Sequence, residues 1–244
     1  SLGEATGVSE SEDEYEGASS DDDSSGDSGC PEPLDQNEVK ICSISPESGS
    51  IGSYVTIRGW NFGETEDSVT FDDNAGNISN ADLVSCNGDA IWTETKIKIV
   101  VPDLTVNNSY SVYVSVGDNN DYTSFVVSEG EAGPNISCLT PDFGPSGIGV
   151  VISGIGFGGT GGSVIMNGWE DSSESEINVN TNSWSENEIN INIPSSALSS
   201  DIIINTTEDL SSSGEYFKVS CETGEQCSSG CCDNNSCSSM DICM

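Results

Sequence analysis

Apolar and polar residues alternate along most of the chain between residues 41 and 219, as they do in strands with one buried face. In the first half the alternation is clearest in residues 55–57 and 97–101, and in the second half in residues 150–152 and 189–193. Gly and Pro residues separate these runs as turns do, and no stretch keeps a helical period. The pattern therefore predicts an all-β protein with almost no helix.

The two halves carry the same motifs in the same order. The first half reads I-S-P-E-S-G from Ile44 and V-T-I-R-G-W-N-F-G from Val55. The second half reads L-T-P-D-F-G from Leu139 and V-V-I-S-G-I-G-F-G from Val150. A later tryptophan and a closing F-x-V strand also recur. Such self-similarity at a nearly fixed spacing indicates a tandem duplication.

These motifs resemble the IPT/TIG family of immunoglobulin-like domains. The family pattern is I-x-P-x-x-G, V-x-I-x-G-x-x-F-G, a Val-x-Phe strand, W-s-d/e-t-x-I and a closing F-x-V. This chain departs from the pattern only at residues 86–91, which lengthen the segment before Trp92. The resemblance implies two tandem immunoglobulin-like β-sandwiches, at residues 41–128 and 136–219. It also implies a spacer or interaction module, as in microbial surface proteins, plexin-like receptors and some transcription factors, and by itself it implies no reaction.

The charge balance limits the partners. The 244 residues include 42 acids, 5 bases and no histidine, so the formal net charge is −37. Such a chain is repelled by nucleic acids and by anionic membranes. No apolar run reaches the roughly 18 residues that a membrane span requires. Because the chain begins at Ser1, we expect a secreted, mature product from which an export signal has been removed.

Residues 1–40 form an acidic arm rich in Ser and Asp, which alone is expected to be a solvated tether. The alternative is an arm that adds a strand to the sheet edge of another subunit. Its acidic side chains would then lie next to Lys96 and Lys98 of that subunit, which alternate with isoleucines and should face outward. Such lysines more often protect a sheet against aggregation. The predicted subunit contacts are Leu2, Ala5, Val8, Lys96 and Lys98.

Ten cysteines favour an oxidising, extracellular compartment. Six of them fall in residues 220–244 with a spacing that resembles the inhibitor cystine knot. That resemblance implies the pairs Cys221–Cys232, Cys227–Cys237 and Cys231–Cys243, in a cap that is structural or, alternatively, acts as an inhibitor. The other four, whose pairing order is left open, are Cys30, Cys42, Cys86 and Cys138.

Little in the sequence indicates catalysis. The absence of histidine excludes Ser-His-Asp and Cys-His nucleophilic sites. A G-x-G-x-x-G match at residues 154–159 is followed by a predicted strand, whereas a dinucleotide site requires a helix there. Clusters of hard oxygen ligands are compatible with calcium, although turn chemistry explains the later clusters equally well. They comprise Asp21, Asp22 and Asp23, Asp72 to Asn74, and Asp118 with Asp121.

Five asparagines lie in Asn-x-Ser/Thr sequences that permit glycosylation in a competent host. They are Asn77, Asn107, Asn135, Asn205 and Asn234.

Taken together, these patterns predict a non-enzymatic extracellular structural protein that assembles with itself into a surface filament or layer. The arm would bridge the subunits, and calcium is the only candidate cofactor. The alternative is a cell-surface adhesin or carbohydrate-binding module whose exposed aromatic side chains stack on sugars. The candidates for that role are Trp60, Trp92, Trp169 and Tyr122.

Overall fold

The computed structural model describes residues 30–35, 37–170 and 172–239 and has the all-β fold that the sequence predicts. The strands form two sandwiches, each made of a four-stranded and a five-stranded sheet. Within the described residues, the helical structure is a single 3-10 turn, Gly224–Gln226, and no helix is long and apolar enough to cross a membrane.

The first sandwich places β1-β3-β9-β6 in one sheet and β2-β11-β10-β4-β5 in the other. Its strands are β1 (Lys40–Ser45), β2 (Ser48–Gly49), β3 (Tyr54–Trp60), β4 (Ser68–Asp72), β5 (Ile78–Asn80), β6 (Asp82–Leu83), β7 (Ser85–Cys86), β8 (Asp89–Ala90), β9 (Lys96–Val100), β10 (Asn108–Val116) and β11 (Asn119–Val127). The alternating residues of the two inner faces interdigitate in a core centred on Phe62, Phe71 and Phe125. The hairpin β7–β8 lies in the predicted insertion before Trp92.

The second sandwich has the same sheet orders, β12-β14-β18-β17 and β13-β20-β19-β15-β16. Its strands are β12 (Asn135–Thr140), β13 (Phe143–Gly144), β14 (Gly149–Ile155), β15 (Ser163–Glu170), β16 (Ser173–Val179), β17 (Thr181–Trp184), β18 (Glu188–Asn192), β19 (Ser200–Asn205) and β20 (Glu215–Val219). Two short strands, β21 (Cys232–Asp233) and β22 (Ser236–Cys237), follow it. Its core is centred on Phe157 and Phe217.

The repeated Gly-x-x-Phe motif closes one corner of each sandwich. At Gly154 a β-carbon would lie well inside van der Waals contact of the Asn135 carbonyl oxygen and the Phe157 ring. Phe157 is fully buried, and the indole Nε1 of Trp184 donates a hydrogen bond to its carbonyl oxygen at 3.1 Å. Gly59, Phe62 and Trp92 make the same arrangement in the first sandwich. The glycine is therefore required by close approach of the backbone and the ring.

We expect the substitution Gly154→Ala to lower the free energy of unfolding by roughly 1 to 3 kcal/mol, because the backbone must shift to admit the methyl group. Urea denaturation followed by tryptophan fluorescence measures the loss. Gly159→Ala in the loop that follows β14 is the matched control, since its β-carbon meets no atom within 4 Å. Equal stability of the two variants would contradict the packing explanation.

The segments outside the sandwiches pack against them. Val39 belongs to the first core, and Trp60 donates a hydrogen bond from Nε1 to the carbonyl oxygen of Cys30 at 3.2 Å. After β20, Cys221, Cys227 and Cys237 join the second core. The end of the acidic arm and the cysteine-rich segment are thus each attached to one sandwich.

Candidate functional site

The two sandwiches meet through a face of β9 that the sequence pattern predicted to be exposed to solvent. The side chains of Lys96 and Lys98 point away from the first core, as the alternation predicts. The second sandwich covers this face, however, so that Lys98 is only 2% exposed. The prediction that both lysines face outward was therefore wrong for Lys98, which is not available to another subunit. Lys96 keeps a side-chain exposure of 25%.

One carboxylate of the second sandwich holds both lysines. The Lys98 ammonium donates hydrogen bonds to the carbonyl oxygen of Ile136 at 2.7 Å, to that of Ser137 at 3.2 Å and to the Glu215 carboxylate. The Lys96 ammonium donates to the other Glu215 oxygen at 2.8 Å. Glu215 on β20 thus bridges two ammonium groups of β9 across the contact.

Burial and charge act against each other in this cluster. Burial lowers the pKa of the Lys98 ammonium, and the neighbouring Glu215 charge opposes that effect. Burial also disfavours the ionised Glu215 carboxyl, but the charges of Lys98 and Lys96 and their hydrogen bonds outweigh it and hold the Glu215 pKa below its usual value. The carboxylate is therefore ionised at neutral pH, and the contact contains a charged bridge.

Asn135 is a second polar connection between the sandwiches. Its Oδ1 accepts a hydrogen bond from the Tyr54 backbone N–H at 2.8 Å, and its Nδ2 donates to the Gly52 carbonyl oxygen at 3.3 Å. The residue is 5% exposed. The prediction that Asn135 is a glycosylation site was wrong for the folded protein, because a buried amide with both ends hydrogen-bonded cannot carry a glycan.

A disulfide crosses the same contact. Cys86, on the inserted hairpin β7–β8, is bonded to Cys138 on β12. Beside it, Asn87 donates a hydrogen bond from Nδ2 to the Thr140 hydroxyl at 3.4 Å. The insertion at residues 86–91, where the chain departs from the family pattern, therefore provides the cysteine that joins the first sandwich covalently to the second. We call Lys96, Lys98, Asn135, Glu215 and this disulfide the interdomain clamp.

The other cysteine pairs each lie within one half of the molecule. Cys30 is bonded to Cys42, Cys221 to Cys232 and Cys227 to Cys237. The last two pairs are those that the cystine-knot resemblance implies. Its third pair joins Cys231 to Cys243, which lies outside the described residues.

The calcium candidates are dispersed or engaged in turns. In the described ranges, no three carboxylates lie close enough together to share an ion. Asp121 accepts a hydrogen bond from the Ile41 N–H at 2.8 Å, and Asp73 accepts two from Asn77 and one from Ala75, which lower the pKa of its carboxyl. Calcium binding stays a prediction. Three of the calcium candidates, Asp21, Asp22 and Asp23, lie outside the described ranges. The predicted arm contacts Leu2, Ala5 and Val8 lie outside them as well.

The remaining glycosylation candidates differ in their surroundings. Asn77, Asn107 and Asn234 are exposed, although the first two donate hydrogen bonds to the carboxylates of Asp73 and Glu129. Asn205 is half-buried and accepts a hydrogen bond from the Ser211 hydroxyl at 2.6 Å. Their glycosylation stays a prediction.

Of the predicted sugar-stacking aromatic residues, only Tyr122 is broadly exposed, at 58%. Trp92 is 6% exposed, and its indole N–H is hydrogen-bonded to the Phe62 carbonyl oxygen. Trp169 is half-buried and packs against the second core. Trp60 is half-buried beside Cys30. The three tryptophans therefore serve the fold, and sequence reasoning missed Tyr113, which contacts Tyr122.

Comparison with known proteins identifies the first sandwich. Residues 40–127 match the family described as IPT/TIG domain, so an IPT/TIG domain occupies this part of the chain. The chain is also 31% identical over 90 residues to a cyclomaltodextrin glucanotransferase of Niallia circulans, a match that spans 36% of this chain and 11% of that enzyme.

Several solved structures show distant similarity to this chain. A gamma-CGTase from alkalophilic Bacillus clarkii is 18% identical, with 75% of this chain and 24% of that chain covered and a TM-score of 0.31. SGBP-B from a xyloglucan utilisation locus of Bacteroides uniformis is 18% identical, with coverages of 73% and 49% and a TM-score of 0.27. The plexin A4 extracellular region is 17% identical, with coverages of 80% and 16% and a TM-score of 0.30. Similarity at this level does not identify a ligand.

Proposed function

We propose that the protein is a non-enzymatic structural protein of the extracellular space that acts as a rigid unit of two IPT/TIG domains. In this proposal residues 136–219 are a second copy of the domain found at residues 40–127, and the cysteine-rich segment is a structural cap. The unit is repeated as the subunit of a surface filament or layer. The observation that supports this function best is the interdomain clamp.

The clamp resists bending between the two domains. Rotation of one sandwich away from the other would separate Glu215 from both lysines and break the two hydrogen bonds of Asn135, leaving the charges to be solvated anew. The disulfide between Cys86 and Cys138 limits such a movement even when the ionic contacts break. A spacer or filament subunit needs this stiffness because its length must be kept under load, whereas a catalytic pair of domains commonly needs a hinge.

The composition supports an extracellular location and constrains the assembly. Disulfides persist in oxidising compartments and are rare in the cytosol of most organisms. Copies that each carry a net charge of −37 repel one another, so assembly requires salt, a bound divalent cation or a contact that overcomes the repulsion. We propose that the arm supplies that contact and that calcium, if bound, acts by neutralising acidic side chains.

Deletion of residues 1–29 tests the bridging arm. We expect the full chain, purified without reductant, to form ordered fibres in electron micrographs at micromolar concentration, with calcium strengthening assembly. The deleted chain should stay monomeric, because the strand that joins subunits is missing. A shorter deletion, of residues 1–12, separates the strand from the acidic cluster. It removes the proposed strand with Leu2, Ala5 and Val8 but leaves Asp21 to Asp23. Dispersed two-lobed particles from the full chain in both conditions would refute the filament, and fibres from the deleted chains would refute the bridge.

A further inference from the structure

The outer face of the five-stranded sheet of the first domain carries a pair of stacked tyrosines. Tyr113 on β10 lies directly opposite Tyr122 on β11, and their ring centroids are 5.1 Å apart with 32° between the ring planes. Thr70 on β4 continues the row on the other side of Tyr113. The inner face of the same strands is fully buried around Val112, so the tyrosines stand on a rigid support.

Most of the side chains around the two rings are uncharged hydrogen-bonding groups, and the carboxylate of Asp72, opposite Ser111, lies at the margin of the face. The strand registers place Ser111 opposite Ser124, and Ser115 opposite Asn120, on the same face. With Thr70 they offer hydroxyl and amide groups that donate and accept hydrogen bonds, although the Ser111 hydroxyl already donates to Asn74 Oδ1 at 3.3 Å. Tyrosines provide broad, amphipathic contact area with little loss of conformational entropy, and serines and asparagines beside them provide adaptable polar contacts. This combination is typical of binding surfaces.

The duplication shows that the fold does not require these rings. In the first sandwich Val69 is opposite Val114, and in the second the equivalent Val164 is opposite Ile204. Ile203 therefore occupies the place of Tyr113, beside Ile165. Strand β20 begins only at Glu215, so the second sheet has no strand residue at the place of Tyr122. The tyrosine pair distinguishes two otherwise matching sheets.

We infer that this tyrosine face binds a neutral polysaccharide. The C–H face of a sugar ring packs on an aromatic ring, and its hydroxyls match the surrounding serine, threonine and asparagine side chains. The charge of the surface favours this ligand over others, because a face without basic groups on a protein of net charge −37 repels anionic polymers. Binding at this face is independent of filament formation, so each can occur without the other.

Affinity electrophoresis in native gels tests the site with three soluble probes, namely a mixed-linkage β-glucan, amylose and the anionic polymer alginate. We expect at least one neutral glucan to retard the full chain, alginate to have no effect, and retardation to persist at raised salt because no ion pair forms. Tyr122→Ala and Tyr113→Ala should each weaken binding by about tenfold, since they remove a central aromatic anchor. Tyr122→Trp should retain binding.

Phe143→Ala is the matched control, because Phe143 is a similarly exposed ring, at 61%, on the edge of the second domain. Its retardation should equal that of the unmodified chain. The inference is overturned if neither neutral glucan retards the chain, or if the double variant Tyr113→Ala/Tyr122→Ala is retarded as strongly as the unmodified protein. Native circular dichroism of the double variant confirms that any loss is not a loss of fold.

Discussion

Replacing Glu215 with glutamine is expected to lower the free energy of unfolding by about 3 to 5 kcal/mol, the usual cost of removing one partner from a buried ion pair. Glutamine keeps the volume of the side chain but removes its charge. Lys98, whose side chain is 3% exposed, then loses its carboxylate partner in the contact and keeps the two carbonyl oxygens. Urea denaturation without reductant, followed by tryptophan fluorescence, measures the difference.

Glu176→Gln on the exposed strand β16 is the matched control, and it should change stability by less than about 0.5 kcal/mol. A second comparison separates charge from packing. In Lys98→Met/Glu215→Leu both buried charges are gone, so much of the loss should be recovered, as apolar replacement of a buried pair is often neutral or stabilising. If Glu215→Gln is as stable as its control, the carboxylate does not hold the domains together.

The effect of Glu215→Gln should depend on pH in one direction. The pKa of Glu215 is lower in the folded chain than its usual value, so ionised Glu215 stabilises the folded state above the unfolded pKa of about 4.3. This contribution is lost as the pH falls through the lower, folded pKa. The difference between the two proteins should therefore be full at pH 7 and shrink in acid, where both side chains are neutral. Because both proteins contain the same other acids, the titration of those acids cancels in the difference between their free energies of unfolding. A difference that does not change with pH would indicate that Glu215 acts through packing alone.

The alternation of apolar and polar residues was sufficient to predict the all-β fold, but it could not predict the clamp. Alternation shows which side chains point away from the local core, as at Lys98, and not what covers them. Glu215 is one of 42 acids, and only the folded chain shows which acid meets the lysines. Asn135 likewise shares its short motif with four exposed or half-buried asparagines.

The binding surface was predictable only in part, for a related reason. Tyr122 could be proposed because its place on an outward position of a strand follows from the alternation. Tyr113 becomes significant only when the register sets the two rings side by side. Register across a hairpin depends on the turn, which here contains Gly117 at a φ of 59°, and a shift by one residue would have separated the rings. The short-range sequence pattern therefore predicts which face of a strand a side chain occupies. Which residue it meets on another strand or domain is seen only in the folded structure.

Removing the disulfide between Cys86 and Cys138 by changing both to serine is expected to cost roughly 4 kcal/mol, the chain-entropy value for a loop that closes over 52 residues. The loop contains strand β9, so the unfolded chain gains the freedom of nearly half of the first domain. Non-reducing urea denaturation measures the loss. Small-angle scattering should also show a broader distribution of interdomain distances, because only the noncovalent part of the clamp remains.

The matching control is Cys30→Ser/Cys42→Ser, whose bridge spans 12 residues and joins the end of the arm to the first domain without crossing the interdomain contact. Its expected cost is roughly 3 kcal/mol by the same relation, with no change in the interdomain distances. The two halves of the clamp should also be coupled, because domains without the disulfide can separate and return Lys98 to water. Glu215→Gln should therefore cost less in the serine background than in the native one. Strictly additive losses, or scattering that is unchanged by Cys86→Ser/Cys138→Ser, would mean that the disulfide does not restrain the contact and that the ionic bridge alone sets the geometry of the two domains.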